Sequence, residues 1–295
     1  MSELIGAVDL GGTKIISGVF TPRGEPLGEP NSTPSGAESS PETVVGNICD
    51  NFLAGLERCG RSLAEVRRLG VGVPTTLRYS TGLIDPSPNL PTMSDYPLGK
   101  VLSERLGLTV VLENDANCFI LGEQARGAAK GYANCCGVTL GTGLGLGIIL
   151  GGKLLHGDYD CAGEIWNCPY EGKGKNLESR ASGSAIVSEY EKTARVRLDG
   201  GEIYQKALAG DPLARKVFHG FGQALGHGLS YVVNLLDPGI IVVGGSVSRA
   251  WELFAGPLLE TVHHHRIGRN RTGIVRGSLG ALAPLYGAAQ LVENP

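Results

Sequence analysis

Apolar runs that flank a short glycine turn occur twice in the chain, in the same order. In the first copy, the apolar residues 4–8 and 15–20 enclose the turn DLGGTK at 9–14. In the second copy, residues 137–150 read GVTLGTGLGLGIIL: an apolar run, a polar residue, Leu-Gly, a small turn and a second apolar run. Each copy predicts a tight hairpin of two buried strands. The repetition predicts two α/β halves that are built alike.

Longer segments show apolar residues at helical spacing. Residues 41–59 predict a helix with Ser40 as its cap and Pro41 in its first turn. Further helices are predicted at 211–236 and 282–291, and buried strands at 69–73, 110–112 and 240–243. These strands and helices favour the α/β class, as two duplicated domains with a ligand cleft between them.

The boundary between the two predicted domains falls near residues 113–127. The first domain comprises residues 1–115 and is joined by the C-terminal helix within 282–295, and the second comprises residues 116–281. Glu113-Asn114-Asp115 directly follow a predicted strand. Because α/β sheets bind ligands at the ends of their strands, these polar groups are candidates for a site.

Composition and charge exclude several classes of partner. The 295 residues are 42% hydrophobic, which is enough for a large core. The chain has 26 basic and 29 acidic residues, which gives a formal net charge of −3. No basic field holds nucleic acid or an anionic membrane. The most apolar stretch, 137–152, is interrupted by glycines and is too short for a membrane helix. No export signal opens the sequence and the seven cysteines form no C-x-x-C pair, so we expect a cytoplasmic protein with reduced thiols.

Asp9 stands beside a turn whose glycines suit an anion. Gly11 and Gly12 leave backbone amides uncovered, so that the turn can approach a phosphate closely. A carboxylate in that place is explained if magnesium lies between it and the phosphate, since magnesium binds one or two carboxylates together with phosphate oxygens and water. In the alternative interpretation, Asp9 and the glycines only shape the hairpin.

Seven motifs in register resemble the ROK family of bacterial sugar kinases, within the larger group of actin-like and hexokinase-like phosphotransferases. The motifs are DLGGTK at 9–14, SPNLP at 87–91, ENDANCFILGE at 113–123, TLGTGLGLG at 139–147, AGEI at 162–165, LESRASG at 177–183 and VVGG at 242–245. The resemblance covers nearly the whole chain. It implies duplicated ribonuclease H-like domains and an ATP- and magnesium-dependent kinase of a hexose, with glucose as the default substrate.

The resemblance also implies a role for each matching residue. Asp115 would be the general base that accepts the proton of the sugar hydroxyl, and Asp9 would hold magnesium directly or through water. The other candidates are sugar contacts at Asn89, Asn114, Glu164 and Glu178, phosphate contacts at Gly11, Gly12, Thr13, Lys14, Gly141, Thr142 and Gly143, and space for adenine and ribose at Gly244 and Gly245. The alternative role of Asp115 is to cap a helix at 116–125, and the two roles are compatible.

Two segments depart from the family pattern. Many members hold a structural zinc with a His and three Cys between the GE and LE motifs, but here Asn167, Pro169, Glu171 and Asn176 occupy those places and Cys168 is out of register. One thiol cannot form a site that needs four N or S ligands, so we predict no zinc and retain Asn167 as a candidate sugar contact. Residues 72–84 replace the usual small turn and introduce the polar side chains of Thr75, Thr76 and Arg78. This difference leaves open a substrate other than glucose.

Other interpretations of the motifs stay open. A dinucleotide-binding dehydrogenase is disfavoured because Leu146 stands where the third glycine of that fingerprint belongs. A sugar-binding regulatory protein without kinase activity is a second alternative, and a kinase of fructose, allose or N-acetylmannosamine is a third. His263-His264-His265 is interpreted as a solvated helix end and Cys135-Cys136 as core residues. The family resemblance implies a homodimer.

Overall fold

The computed structural model describes residues 3–172 and 174–293. Two compact units divide the chain. The first unit contains the residues up to 130, the segment 154–162 and the residues from 282 onward, and the second contains 131–153 and 163–281.

The strands and helices alternate along the chain. Up to residue 130 they are β1 (Leu4–Leu10), β2 (Lys14–Phe20), β3 (Asn31–Pro34), α1 (Pro41–Arg58), β4 (Val66–Val73), β5 (Leu77–Arg78), β6 (Leu83–Ile84), α2 (Leu98–Leu106), β7 (Thr109–Asn114) and α3 (Asp115–Arg126). They continue with β8 (Cys135–Leu140), β9 (Leu144–Leu150), β10 (Lys153–Leu154), α4 (Gly183–Ala194), α5 (Gly200–Leu208), α6 (Pro212–Leu236), β11 (Ile240–Gly244), α7 (Trp251–His265), β12 (Gly273–Arg276) and α8 (Ala283–Glu293).

The two units contain sheets of the same plan. The order is β3-β2-β1-β4-β7 in the first unit and β10-β9-β8-β11-β12 in the second. In each sheet an antiparallel hairpin, β1-β2 or β8-β9, pairs through its first strand with a parallel strand, β4 or β11. A further parallel strand, β7 or β12, lies beyond it. The predicted α/β class and the repeated hairpin are confirmed.

Local sequence signals set several helix ends as predicted. The hydroxyl of Ser40 accepts a hydrogen bond from the amide of Thr43, 3.3 Å, at the start of α1, and Pro41 occupies its first turn. Asp211 caps α6 in the same way, through the amide of Ala214. The predicted helices at 41–59 and 211–236 and the C-terminal helix are therefore confirmed.

Strand β1 separates two cores in the first unit because its side chains alternate between the faces of the sheet. Leu4, Val8 and Leu10 pack with α1 on one face. Ile5 and Ala7 pack on the other face with the apolar residues Ile16, Phe20, Cys118, Leu285, Ala288, Ala289 and Val292. The sheet is thus covered by α1 on one side and by α3 and α8 on the other.

Helices α3 and α8 approach each other at backbone distance. A Cβ atom at Gly287 would lie 1.7 Å from the carbonyl oxygen of Cys118, and one at Gly122 would lie 2.0 Å from the carbonyl oxygen of Ala283. Only glycine fits at both positions. Because of this packing, residues 116–130, which were predicted in the second domain, lie in the first unit. The segment 154–162, predicted in the second domain as well, also belongs to the first unit.

The described helices were also compared with the requirements of a membrane span. No helix within residues 3–172 and 174–293 is both long and apolar enough to cross a bilayer.

Candidate active site

Three acidic side chains lie at the carboxyl ends of the parallel strands in the first unit. Asp9 of β1 is in register with Gly72 of β4, which is in register with Glu113 of β7, and Asp115 is the first residue of α3. Burial raises the pKa of Asp9 to about 7, the negative charge of Asp115 adds to the shift, and Lys14 opposes it. Asp115 is thus close enough to affect the ionisation of Asp9.

The first hairpin presents an exposed tip beside Asp9. The amide of Gly11 donates to the carbonyl oxygen of Lys14, 2.8 Å, and the amide of Ser35 donates to the carbonyl oxygen of Thr13, 3.0 Å. Gly12, Thr13 and Lys14 are exposed. The amide of Gly11 is therefore engaged inside the turn, whereas Gly12, Thr13 and Lys14 stay accessible as candidates for contact with an anion. One carboxylate beside such a tip suits magnesium bound to phosphate oxygens and water.

Asn89 and Asn114 are anchored on the loop that follows β4. The Nδ2 of Asn89 donates to the carbonyl oxygen of Pro74, 3.2 Å, and the Nδ2 of Asn114 donates to that of Thr75, also 3.2 Å. A Cβ at Gly12 would lie 3.5 Å from the carbonyl oxygen of Asn89. The first unit therefore brings the candidate sugar contacts Asn89 and Asn114 together with the hairpin.

Asn114, rather than Asp115, is the cap of α3. The Oδ1 of Asn114 accepts from the amides of Ala116, 2.9 Å, and Asn117, 3.2 Å. Asp115 is already helical, and its Oδ1 accepts from its neighbour Ala116, 2.8 Å. The predicted cap role of Asp115 is thus wrong by one residue, since the asparagine before it has the extended backbone that a cap requires. The cap commits the Oδ1 of Asn114 to the helix.

Sequence reasoning missed a cluster around Glu113. This carboxylate is 3% exposed, and it is bonded by Tyr79, His156, Asn117 and the amide of Asn114. Tyr79 and His156 lie 34 and 43 residues away in the chain. No local pattern predicts that they meet.

In the second unit, Glu178 lies against the tip of the second hairpin. Its Oε2 accepts from the amide of Leu144, 2.9 Å, and a Cβ at Gly143 would lie 2.5 Å from the same oxygen. The amide of Gly183, at the start of α4, donates to the carbonyl oxygen of Gly141, 2.8 Å. This hairpin is therefore held by α4 on one side and by Glu178 on the other.

A short 3₁₀ helix, Ile165–Asn167, lies in the second unit, with Glu164 directly before it and Asn167 as its last residue. The indole Nε1 of Trp166 donates to the carboxylate of Glu164, and Asn167 is exposed. The amide of Leu177 donates to the carbonyl oxygen of Cys168, 2.9 Å, which joins this segment to the 3₁₀ helix Leu177–Ser179 that contains Glu178. The candidate sugar contacts Glu164, Asn167 and Glu178 thus belong to one region. Trp166 is a further member that sequence reasoning missed.

Gly244 and Gly245 lie at the end of β11, beside the second hairpin. Gly244 is in register with Thr139 of β8. Gly245 has a φ of +82°, and a Cβ there would lie 2.3 Å from the carbonyl oxygen of Leu140. The candidate nucleotide residues of the second unit therefore share one edge of its sheet.

The segments that depart from the family pattern are held by internal contacts. Arg78 forms ion pairs with Asp85, 2.7 Å, and with Asp95, and the hydroxyl of Thr75 donates to the carbonyl oxygen of Asp85. These contacts hold the side chains of Arg78 and Thr75 against other residues of the first unit. Between Cys168 and Leu177, the amide of Tyr170 donates to the carbonyl oxygen of Lys175, and Asn176 caps the 3₁₀ helix that follows. Within residues 3–172 and 174–293, no three His, Cys, Asp or Glu residues form a metal cluster. The prediction that zinc is absent stays a prediction.

Two further predictions concern residues away from this site. His263-His264-His265 form the exposed end of α7, and Cys135 and Cys136 are buried in β8, where burial raises the pKa of both thiols. Both interpretations are confirmed.

Comparison with known proteins decides the family. A model of the ROK family matches residues 5–294. The chain belongs to the ROK family. The glucokinase of Thermotoga maritima is 31% identical over 99% of this chain and 98% of its own length. The crystal structure of a ROK glucokinase from Streptomyces griseus, in complex with glucose and AMPPNP, is 31% identical, with a TM-score of 0.86 over 99% and 100% of the two chains.

A third relative acts on a different sugar. The N-acetylgalactosamine kinase of a Shewanella species is 27% identical over 96% of this chain and 95% of its own length. The matches to named kinases extend over almost the entire ROK chain, so its activity is that of a sugar kinase. Its fold is the duplicated actin-like fold that the motifs imply.

Proposed function

We propose that this ROK chain transfers the γ-phosphoryl group of ATP to a hydroxyl of a hexose, with glucose as the first candidate. The observation that carries the proposal is the arrangement in the first unit, where Asp9 and Asp115 interact beside the exposed tip of the first hairpin. Relatives named as glucokinases support the choice of sugar.

Asp115 is the proposed base. Its carboxylate accepts the proton of the attacking hydroxyl while the new O–P bond forms and the bond from the γ-phosphorus to the bridging oxygen breaks, and that electron pair leaves with ADP. Its place as the first residue of α3 fixes the carboxylate at a strand end. Asn89 and the remaining N–H of Asn114 are proposed to bind neighbouring hydroxyls of the sugar, because a polyol both donates and accepts hydrogen bonds.

Asp9 is proposed to hold magnesium, directly or through water. When bound, the ion offsets negative charge on the phosphate oxygens. Gly12, Thr13 and Lys14 are proposed to bind phosphate through amides, a hydroxyl and an ammonium group. Because the amide of Gly11 donates to the carbonyl oxygen of Lys14, Gly11 is proposed only to let the phosphate approach the turn closely. Lys14 already opposes the raised pKa of Asp9, so a positive charge acts on this place before any ligand binds.

The residues of the second unit are proposed to bind the remaining groups. Gly141, Thr142 and Gly143 contact the β- and γ-phosphates, Gly244 and Gly245 leave space for adenine and ribose, and Glu164, Asn167 and Glu178 contact the anomeric end of the sugar. Glu164 and Glu178 each have one carboxylate oxygen engaged by the protein, Glu164 by Trp166 and Glu178 by Leu144. These bonds orient each carboxylate.

A screen of sugars tests the proposal. ADP release is measured with ATP and magnesium for glucose, fructose, mannose, allose and their N-acetylated amino forms, with Asp115→Asn as the inactive control. Glucose is expected to give the highest kcat/KM. A preference for an N-acetylhexosamine would replace glucose as the substrate, and binding of a sugar by calorimetry without ADP release would favour the regulatory alternative.

The assembly and location of the ROK chain stay predictions. We propose a homodimer, on the family resemblance alone, and a cytoplasmic location, on the reduced thiols that the cysteine pattern predicts. Light scattering of the purified protein measures the assembly directly, and a mass of one chain would contradict the dimer.

A further inference from the structure

Glu113 is a buried carboxylate with an unusually complete set of donors. Its Oε1 accepts from the amide of Asn114, 2.8 Å, from the Nδ2 of Asn117, 2.9 Å, and from the hydroxyl of Tyr79. Its Oε2 lies 2.8 Å from the Nε2 of His156. A carboxylate held by so many bonds has one orientation, and the bonds join several parts of the first unit to it.

The donors come from three segments of the first unit. Asn114 and Asn117 form the bend from β7 into α3, Tyr79 follows β5, and His156 lies in the segment 154–162. The Tyr79 and His156 rings are 4.2 Å apart, and the amide of Tyr79 donates to Asp160 Oδ2, 3.0 Å. Tyr79 therefore fastens the segment 154–162 at two points while it also holds Glu113.

Charge compensation explains why His156 is one of the donors. A buried carboxylate without a counter-charge is strongly unfavourable. The hydrogen bond to Glu113 raises the pKa of His156, although partial burial opposes the shift, and the charges of Glu113 and Asp160 support it. Burial and the carboxylate also raise the pKa of Tyr79, so its phenol stays a donor. The titratable groups that act on His156 in the described part of the chain include Glu113 on β7, Asp160 on its own segment and Tyr79 after β5.

We propose that Glu113, compensated by His156 and fixed by Tyr79, is a positioning residue that sets the bend on which Asp115 stands. Glu113 bonds the backbone of Asn114 immediately before Asp115 and the side chain of Asn117 two residues after it. The cluster thus acts on the base through the bend. The inference rests on the proposed role of Asp115. It gives a role to Glu113 of the motif at 113–123 and adds Tyr79 and His156, which belong to none of the seven motifs.

A double-mutant cycle of His156→Gln and Glu113→Gln tests the compensation. His156→Gln keeps a neutral donor but removes the charge, so kcat is expected to fall about tenfold, while KM for the sugar and for ATP stays within about twofold, as expected for a misplaced base. The double variant replaces the ion pair by two amides and should recover at least half of that loss, because the two effects are not independent. His219→Gln, at an exposed histidine of α6, is the matched control and should leave kcat unchanged.

Thermal unfolding gives a readout that does not need activity. Because the pKa of folded His156 is raised above the unfolded value of about 6.5, its contribution to stability is complete below that pH and is lost as the pH rises through the folded pKa. The difference in Tm between wild type and His156→Gln should be larger at pH 6 than at pH 9, and it should vanish in the Glu113→Gln background. Tyr79→Phe, which removes one donor to Oε1, is the milder variant if His156→Gln does not fold, and it should lower kcat with KM unchanged.

Two outcomes would overturn the inference: equal loss of kcat in the single and double variants, or a rise in KM for the sugar with kcat unchanged, which would make the cluster a substrate contact. Failure of the proposed function is distinguishable. If Asp115→Asn retained its turnover while the unfolding cycle still coupled His156 to Glu113, the base assignment would be wrong and the ion pair would stand as a structural pair only.

Discussion

The two hairpins of the ROK chain share a backbone plan and differ in charge. In both hairpins, a backbone amide from elsewhere in the same unit donates to a carbonyl oxygen of the turn. The amide of Ser35 donates to Thr13 in the first hairpin, and the amide of Gly183 donates to Gly141 in the second. The first hairpin has Asp9 and Lys14 where the second has Thr139 and Leu144. The comparison teaches that one backbone plan carries two different sets of side chains, and we expect metal and proton chemistry only in the charged copy.

The largest expected effect comes from removing the charge of the proposed base in the first unit. Asp115→Asn should lower kcat by about a hundredfold to ten-thousandfold, the usual contribution of a positioned base. The Tm should stay close to that of wild type, because Asn114 already caps α3. Steady-state kinetics and calorimetric unfolding check both parts.

Asp211→Asn is the matched control for Asp115→Asn in the second unit. Asp211 caps α6, and an amide oxygen caps a helix about as well as a carboxylate, so kcat and Tm should both be unchanged. Asp115→Asn with more than a third of wild-type turnover would rule out the base.

The next effect separates Asp9 from its uncharged counterpart Thr139. Asp9→Asn should weaken the apparent magnesium affinity by about ten- to a hundredfold, as for groups that hold a metal through water, and leave sugar affinity unchanged. Thr139→Ser should change neither. Magnesium titrations of ADP release and sugar calorimetry measure the two quantities, and an equal loss of sugar binding in Asp9→Asn would contradict the placement.

The pH dependence of the same site follows from its burial. The pKa of Asp9 is raised from 3.8 to about 7, so its protonated form dominates in the folded state below pH 7. Stability gained from this neutral form is complete below pH 3.8 and is lost as the pH rises through about 7. Metal-free Asp9→Asn should therefore have a higher Tm than wild type at pH 8 and a similar one at pH 5. The magnesium requirement of wild type should rise as the pH falls from 8 to 6.

A smaller effect distinguishes two glycines within the uncharged hairpin. Gly143→Ala places a Cβ 2.5 Å from Glu178 Oε2, so we expect a loss of about 1–3 kcal/mol in the free energy of unfolding. Gly141→Ala meets nothing within 4 Å and should leave the Tm unchanged, but it should raise KM for ATP if this turn cradles phosphate. An unchanged KM for ATP in Gly141→Ala would remove the second hairpin from the nucleotide site.

The smallest expected effect concerns Trp166 in the second unit. Trp166→Phe keeps an aromatic ring but loses the donor to Glu164, a bond worth about 1 kcal/mol, so KM for the sugar should rise several-fold with kcat unchanged. Trp251→Phe is the matched control at the start of α7, and it leaves Trp166 as the single tryptophan for fluorescence titration with sugar. No change in KM on Trp166→Phe would mean that Glu164 does not need this bond.

The sequence predicts what depends on neighbours in the chain. The hairpins, the Ser40 cap and the amphipathic α6 follow from apolar spacing and from turn chemistry, and all are confirmed. The cap of α3 was misplaced by one residue because Asn114 and Asp115 both suit that position, and backbone conformation decides between them. Residues 116–130 were predicted in the second domain, but they pack on α8 in the first unit. This packing joins segments about 160 residues apart, which no local pattern indicates.

The site divides in the same way. Asp9, Asn89, Asn114 and Asp115 are local to motifs and lie together in the first unit, whereas Tyr79, His156 and Trp166 belong to no motif. Glu113, the partner of His156, is 43 residues away in the chain. The hydrogen bond from Trp166 to Glu164 joins residues two positions apart at a short 3₁₀ helix that no periodicity predicts. The contacts of Tyr79 and His156 depend on tertiary folding, so a single sequence does not contain their signal, whereas the contact of Trp166 is local and depends on the conformation of that 3₁₀ helix.

The contact of α8 with α3 and the first sheet has a consequence for how the chain is made. α8 leaves the ribosome after the other described helices, yet it covers Ile5, Ala7, Ile16 and Phe20 of β1 and β2, which are synthesised long before it. All residues of the second unit are synthesised before α8, so that unit can complete its core while the first unit still exposes an apolar face. Such a face is prone to aggregation during synthesis. Chaperones that bind nascent chains therefore have a defined target here, and its lifetime is the time needed to translate the chain as far as α8.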